Sequence, residues 1–404
     1  VLQLIDKVSR GGNFLLDIGP DAHGKIPPNI QERLLGIGNW MKINGEAIYN
    51  TVEWQRPSQW SDGNRNYKPK NKSGDLLLKL TVDPDPGYAV KEVFFTYNEK
   101  ENNLYAILPR YPENKKIRLK DISLPAGTAI NFLSTGTSLS WKQVGSDVEV
   151  EMPEYNPNTI KAPYAFVLKI NNYGRFTAKP VVQVDYNPKN LKPTLQIDAQ
   201  QGARVYYTLD GSEPSQSATQ YSAPIKLSGT ATVKAVAYRE NALPSLVAEG
   251  QVGSYSWQKS TPLRSPAKGL HYRYYELQPK SVRDMEGLTP AKSGVAPLIN
   301  AGITSRKEYC GLRFDGYFKA EEDALYTFYL TSDDGSVLWI DGKQLIDNDG
   351  MHGNEEKSAS VALRKGYHAL KVDYMQYNGA KALRLSYSKP GAEKEAVPEG
   401  LLFH

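Results

Sequence analysis

The chain has 404 residues, with 49 Lys and Arg against 44 Asp and Glu and a net charge of +5. The basic residues are scattered among acids without a block or stripe, which argues against a nucleic-acid partner, and no apolar run reaches the roughly 18–20 residues of a membrane helix. The single cysteine, Cys310, excludes an intrachain disulfide; this fits a reducing compartment but also many secreted chains. Twenty-six Tyr, 26 Pro and 33 Gly tilt the composition toward strands and turns, and the length suggests about three domains. With Val1 at the start and no signal peptide ahead of it, the expectation is a processed chain or a piece of a longer one.

In chain order, "SRGGNFLLDIGP" (9–20) places a Gly11-Gly12 turn before an apolar run of Phe14, Leu15, Leu16 and Ile18. Such a run predicts a strand buried on both faces. Pro27-Pro28 suits a first helical turn, and Ile30, Leu34, Ile37 and Met41 then recur at helical spacing. Asn44-Gly45 predicts a left-handed stop. Residues 1–50 therefore read as one βα unit. Trp40, on the helix, reads as core.

After Tyr49 the period changes to two. Residues 71–78 read as a turn entering a strand, along which Leu76, Leu78, Leu80 and Val82 alternate with Leu77, Lys79 and Thr81. Val93, Phe95 and Tyr97 alternate in the same way, as do Val148, Val150 and Met152. Residues 51–186 are expected to form an antiparallel β-sandwich, with a Pro-punctuated linker near 185–194. Residues 187–253 read as a small β-sandwich: Val205, Tyr207 and Leu209 share a face, Asp210-Gly211 turns, and Val233, Ala235 and Ala237 line a later strand. A second linker is expected at 256–269. In the last domain, 254–404, Leu370, Val372 and Tyr374 form one face, and Leu383, Leu385 and Tyr387 another. Asp334-Gly335 and Asp341-Gly342 are hairpin-turn dipeptides, and Cys310 in "EYCGLRF" reads as a small buried apolar residue. The fold class is mainly β: tandem antiparallel β-sandwiches preceded by one βα remnant of a (β/α)8 barrel.

Four stretches carry resemblances. "VSRGGNFLLDIGPDAHGKIP" with "GNWMKINGEAIYNT" resembles the last strand and helix of the catalytic barrel of α-L-fucosidases, glycoside hydrolase family 29, with Asp17 where the commonest form of the motif has Asn. Residues 51–186 resemble the β-sandwich that follows that barrel. "RVYYTLDGSEPS" with "SAPIKLSGTATVKAVAY" resembles the C-terminal domain of chitobiases and β-hexosaminidases. "RFDGYFKAEEDALYTFYLTSDDGSVLWIDGKQLIDNDG" resembles the domain named after the anthrax protective antigen, found in glycosidases, adhesins and toxins.

These resemblances imply a retaining enzyme that releases α-linked L-fucose. Retaining hydrolysis needs two carboxyl groups about 5–5.5 Å apart. In the family both precede the stretch that opens this chain, and a barrel needs eight strands where this sequence offers one. The chain alone is therefore expected to be inactive, with no catalytic residue of its own, and to need the N-terminal barrel part of its parent as a partner. Asn13, Asp17 and His23 sit where a barrel pocket would be lined; a local role in bonding loop amides is the other reading for each.

The remaining candidate is "TSDDGS" (331–336). Adjacent carboxylates repel unless a cation is near, and calcium takes six to eight oxygen ligands. In sugar-binding members of the protective-antigen family an Asp pair holds calcium, which ligates sugar hydroxyls, and an Asn from a later loop completes the site. By that resemblance Asp333 and Asp334 are the calcium and carbohydrate candidates, with Asn378 of "QYNGAKA" as the later Asn. A plain turn is the competing reading. Asp347, Asn348 and Asp349 read as an exposed loop without EF-hand spacing. No cofactor is required beyond this possible Ca2+. The expected function is a C-terminal accessory region of an α-L-fucosidase, binding fucosylated glycans or other carbohydrate, in the periplasm, at the cell surface or secreted from a bacterium. The alternative is a free-standing carbohydrate-binding or adhesion protein.

Overall fold

The computed structural model describes residues 1–67 and 76–404. The chain is mainly β and divides into two compact units. The first comprises residues 1–180 with 199–206 and 236–247; the second comprises 181–198, 207–235 and 248–404.

The first unit is built on a six-stranded antiparallel sheet. Its order is Val52–Trp60, Lys91–Asn98, Asn103–Leu108, Phe166–Ile170, Ile130–Phe132, Thr137–Leu139. One face packs on a three-stranded sheet of Lys116–Leu119, Asp147–Glu151 and Trp141–Val144, with Phe95, Leu104, Phe132, Val148, Val150 and Leu168 between them. The other face, bearing Phe94, Tyr105, Ile107 and Val167, is covered by two helices through Ile5 and Trp40. Burial on both faces explains why "LYAIL" (104–108) is apolar throughout rather than alternating.

Helix α2 spans Pro28–Asn44, as its spacing predicts. Trp40 is fully buried, and its indole Nε1 donates to the Ala165 carbonyl at 2.9 Å. The left-handed stop does not form at Gly45, whose φ is −61°. The chain runs on into a 3₁₀ turn, Gly45–Ala47, and the left-handed residue is Asn50. The first helix, Leu2–Ser9, is absent from the sequence reading. It buries Ile5 and ties Asp6 to Lys91 at 2.7 Å and to Arg10.

Two expected strands are not formed. Phe14–Ile18 is unpaired coil, with Leu15 93% exposed. An apolar run becomes a strand only when a neighbour takes its N–H and C=O groups, and among the described residues none does. The βα remnant thus keeps its helix and not its strand. Residues Leu76–Lys79 form a single helical turn instead of an alternating strand, leaving Leu76 and Leu78 about half exposed. The expected turn over 71–75 lies outside the described residues.

In the second unit, Val181–Tyr186 and Pro193–Asp198 pair along six residues, so the stretch read as a linker near 185–194 is the turn of a hairpin. Asp210 closes a tight turn by accepting from the Ser212 amide and hydroxyl. Residues 270–403 form a β-sandwich. One sheet runs Lys292–Ala296, Leu270–Glu276, Cys310–Ala320, Gly366–Gln376, Ser336–Ile340, Lys343–Asn348, with Leu402–Phe403 also paired to Cys310–Ala320. The other runs Glu355–Leu363, Ala324–Asp333, Ala382–Ser388, Glu395–Ala396. Phe314, Phe318, Tyr326, Phe328, Leu338, Val372, Leu385 and Tyr387 fill the space between. Cys310 is fully buried, and burial pushes its thiol pKa up.

The second expected linker is bound along its length. Gln258 donates to the Ala362 carbonyl, Thr261 to that of Tyr367, and Gly269 to that of Leu402. Trp257 lies under the Arg364 guanidinium at 4.3 Å. These backbone groups pair with the sheet edges although most of the segment is exposed or half-exposed.

Candidate functional site

The Asp333–Asp334 turn sits where the chain passes between the two sheets of the sandwich. Ala324–Asp333 belongs to the four-stranded sheet and Ser336–Ile340 to the other. The turn therefore does not close a hairpin, although the dipeptide Asp334-Gly335 predicts one. Asp341-Gly342 does close one, between Ser336–Ile340 and Lys343–Asn348, with both residues at positive φ. Gly335 is required for a different reason from a left-handed turn. A Cβ there would lie 2.7 Å from the Gly350 nitrogen and 2.9 Å from Asp349 Oδ1. The 349–353 loop presses against the turn, and only glycine leaves room.

Both acids are nearly buried, Asp333 at 7% and Asp334 at 5% exposure, and the peptide between them is cis. Asp334 bridges three loops. Its Oδ1 accepts from the His352 amide at 3.0 Å, and its Oδ2 accepts from the Tyr377 amide at 2.8 Å. The Asp333 carbonyl accepts from the Tyr374 hydroxyl at 2.7 Å. Beneath the turn, Ser332 and Ser336 share a hydrogen bond, and Asn348 Nδ2 donates to Ser332 Oγ. Asn348 is fully buried, and among the described residues its Oδ1 has no hydrogen-bond partner. Asp349 braces the adjoining loop by accepting from the Ser281 hydroxyl and the Val282 and Gly350 amides. In His352, burial lowers the pKa, but the carbonyls of Asn348 and Gly353, one on each ring nitrogen, with Glu355 and Asp334 nearby, raise it overall.

The loop carrying Asn378 is brought beside Asp334 through Tyr377. Asn378 itself is exposed, and its carbonyl accepts from Gln376 Nε2 at 3.1 Å. Asn13, Asp17 and His23 are exposed on the unpaired segment before α2. The His23 amide donates to Asp21 Oδ1 at 2.9 Å. Nothing in the linear pattern marks Asn348, His352 or Tyr377, because each is joined to the turn only by folding. Asn348 and Asp349, read as an exposed loop, are instead a buried strut and a brace.

The turn presents hard oxygen donors, two carboxylates among neutral side-chain and backbone oxygens, a set suited in kind to calcium. No group of three or more His, Cys, Asp or Glu placed to hold a metal occurs among the described residues. Any ion here would therefore draw on Asp333 and Asp334 plus neutral oxygens.

Comparison with known proteins adds to this geometry. Residues 1–46 match the α-L-fucosidase family and 88–171 the α-L-fucosidase C-terminal domain; 194–252 match a family described as Fn3 associated, and 268–400 match the PA14 domain. Mouse tissue α-L-fucosidase is 32% identical over 169 residues, 42% of this chain and 31% of its own length. Thermotoga maritima α-fucosidase is 29% identical, covering 42% of this chain and 32% of its own, with a TM-score of 0.31. A PA14 sugar-binding domain from an RTX adhesin is 17% identical, covering 34% of this chain and 98% of its own, with a TM-score of 0.30. The chain spans about a third of the length of the curated relatives it matches. Sandwich architecture and matched modules together define a glycosidase-associated accessory region. More particularly, residues 1–46 and 88–171 are similar to segments of α-L-fucosidases, and residues 268–400 are similar to the PA14 domain.

Proposed function

We propose that this chain is the C-terminal accessory region of a retaining α-L-fucosidase and that its PA14 domain engages carbohydrate through calcium. The observation that carries this reading is the presence, in one chain, of the fucosidase segments and of a PA14 domain whose Asp333–Asp334 turn is a buried junction of three loops. Asp333 and Asp334 would hold the ion, with an oxygen of Asn378 from the neighbouring loop. A bound calcium supplies open positions for paired sugar hydroxyls. The protein's part is to fix the Asp334 carboxylate and the Asp333 backbone before the ligand arrives, which lowers the ordering cost of binding.

The role of the first fifty residues is to meet a catalytic barrel. Leu15, Leu16, Ile26 and Leu35 expose apolar surface on α2 and on the segment before it, which suits burial against further βα units. Asn13, Asp17 and His23 would then lie at the rim of the sugar pocket. Retaining hydrolysis needs two carboxyl groups on one rigid scaffold, and the exposed coil around Asp17 provides no such pair.

A glycan array read with and without a chelator tests the binding half. Calcium-dependent signal that disappears in Asp333→Ala is expected, and binding indifferent to both would remove the proposal. For the catalytic half, the chain should not turn over an aryl α-L-fucoside. Turnover that depends on one of its own carboxylates would overturn that reading.

A further inference from the structure

The larger sheet of the PA14 sandwich has a second face, and its side chains line up. Val295, His271, Asp315, Lys371 and Trp339 are directly opposite one another on five neighbouring strands. Residues in register across an antiparallel sheet share a face. Their sequence neighbours Leu270, Tyr272, Phe314, Val372 and Leu338 point the other way, into the core. The row therefore crosses the outer surface at right angles to the strands, over about 19 Å at the usual strand spacing.

Two adjoining hollows follow this row, of about 660 and 590 Å³, and they share His271 and Asp315. Gly342 and Ala369 lower the floor between Tyr317 and Trp339. Aromatic rings stand along the hollow: Trp339, Tyr317, and the imidazoles of His271 and His404, whose centroids are 4.4 Å apart. The carboxylates here are already matched. Asp315 pairs with Arg273, and Asp373 takes both Nε and Nη2 of Arg313 at 2.7 and 2.8 Å. Lys371 lies 3.2 Å from Asp373 and 4.2 Å from the Trp339 ring centre. Of the charged residues lining the hollows, Arg273 and Lys371 are cations and Asp315 is the one carboxylate, so one positive charge is in surplus, at Lys371 beside Trp339.

We propose that this outer-face groove binds an extended oligosaccharide bearing carboxylate groups, independently of the Asp333–Asp334 turn. Its length suits a linear chain of several sugar units. Its rings offer flat apolar surface to sugar faces. Arg273, Lys371 and the two imidazoles offer donors to carboxylates and hydroxyls, and ion-assisted hydrogen bonds of this kind are the stronger ones. The surplus cation selects for an acidic chain.

The test uses the full 404-residue chain, a hexameric oligogalacturonide, and the methyl ester of the same oligomer, which has the same backbone without the charges. Titration calorimetry should show the free acid binding at least about tenfold tighter than the ester. His271→Ala combined with Lys371→Ala should weaken binding by about tenfold or more while the melting temperature holds, and Lys371→Arg should retain it. Asp333→Ala and a chelator should leave this binding intact, which separates it from the calcium-dependent site. No binding, equal binding of acid and ester, an undiminished double variant, or equal competition by a single-stranded oligodeoxynucleotide would each overturn the assignment.

Discussion

Two segments carry acids that the sequence offers as site residues, and the fold treats them in opposite ways. Around Asp17 the chain is exposed coil, with Leu15 93% in solvent. Around Asp334 the carboxylate is 5% exposed and holds two loops by their amides. The two stretches look comparable as strings, each with a glycine within two positions of an acid. What separates them is whether the surrounding chain supplies partners. A loop pre-formed by bonds at its base can present a fixed ligand set, whereas an unpaired segment must first be ordered by something else.

The largest effect expected within this comparison is on the anchored part of the first region. Trp40→Ala should cost about 3–5 kcal/mol, because it empties a fully buried position and frees the Ala165 carbonyl. Denaturant melts of the first unit would show it, and a loss under 1 kcal/mol would mean that α2 is not integral to the sheet. Next comes Asp334→Ala, which removes the acceptor of two amides and should cost about 2–3 kcal/mol. Hydrogen exchange at His352 and Tyr377 should rise together. A rise at one alone would show that the loops are held separately.

A smaller effect concerns pH. Burial lowers the pKa of His368, but its contacts with Asp341 Oδ2 and the Arg364 carbonyl, both at 2.7 Å, raise it overall. Since the folded value exceeds the unfolded one of about 6.5, this contribution is fully present below that value and fades as pH rises through the folded pKa. The melting temperature of the second unit should fall over that interval, and His368→Gln should flatten the decline. Asp6 has the opposite sign. Burial raises its pKa, but Lys91 and Arg10 lower it overall. Its contribution is therefore present above the ordinary carboxylate range and lost as pH falls through the depressed value, a loss Asp6→Asn should remove. Smallest of all, Leu15→Ser should shift stability by less than about 0.5 kcal/mol. A larger destabilisation would show that Phe14–Ile18 is packed.

Periodicity carried most of the fold. Leu370 to Tyr374 and Leu383 to Tyr387 alternate because one face meets a core, Val93 to Tyr97 are buried on both faces of their sheet, and the helical repeat from Ile30 to Met41 meets the sheet at its C-terminal end, through Trp40 and Met41. Where local pattern and pairing part company, the sequence misleads. Phe14–Ile18 has strand composition but no neighbour, and Leu76–Val82 alternates over a turn. Asp334-Gly335 has hairpin chemistry, yet Gly335 is there to admit Gly350, fifteen positions along the chain. The candidate acids were legible as residue types. Their support through Asn348, His352 and Tyr377 was not, because those contacts span up to 43 positions in sequence. The outer-face row is hidden for the same reason: its members come from five separate strands.

The stitching of residues 267–269 to 402–404 has a further consequence. Ala267 and His404 exchange amide-to-carbonyl bonds in both directions, at 3.0 and 2.9 Å. Entry to and exit from the sandwich therefore lie side by side. A module with neighbouring ends can be spliced into a surface loop of a host, or cut and rejoined elsewhere on its perimeter, without stretching its frame. Tension applied between those two ends would load the paired bonds one after another, as a zipper opens, rather than all together in shear.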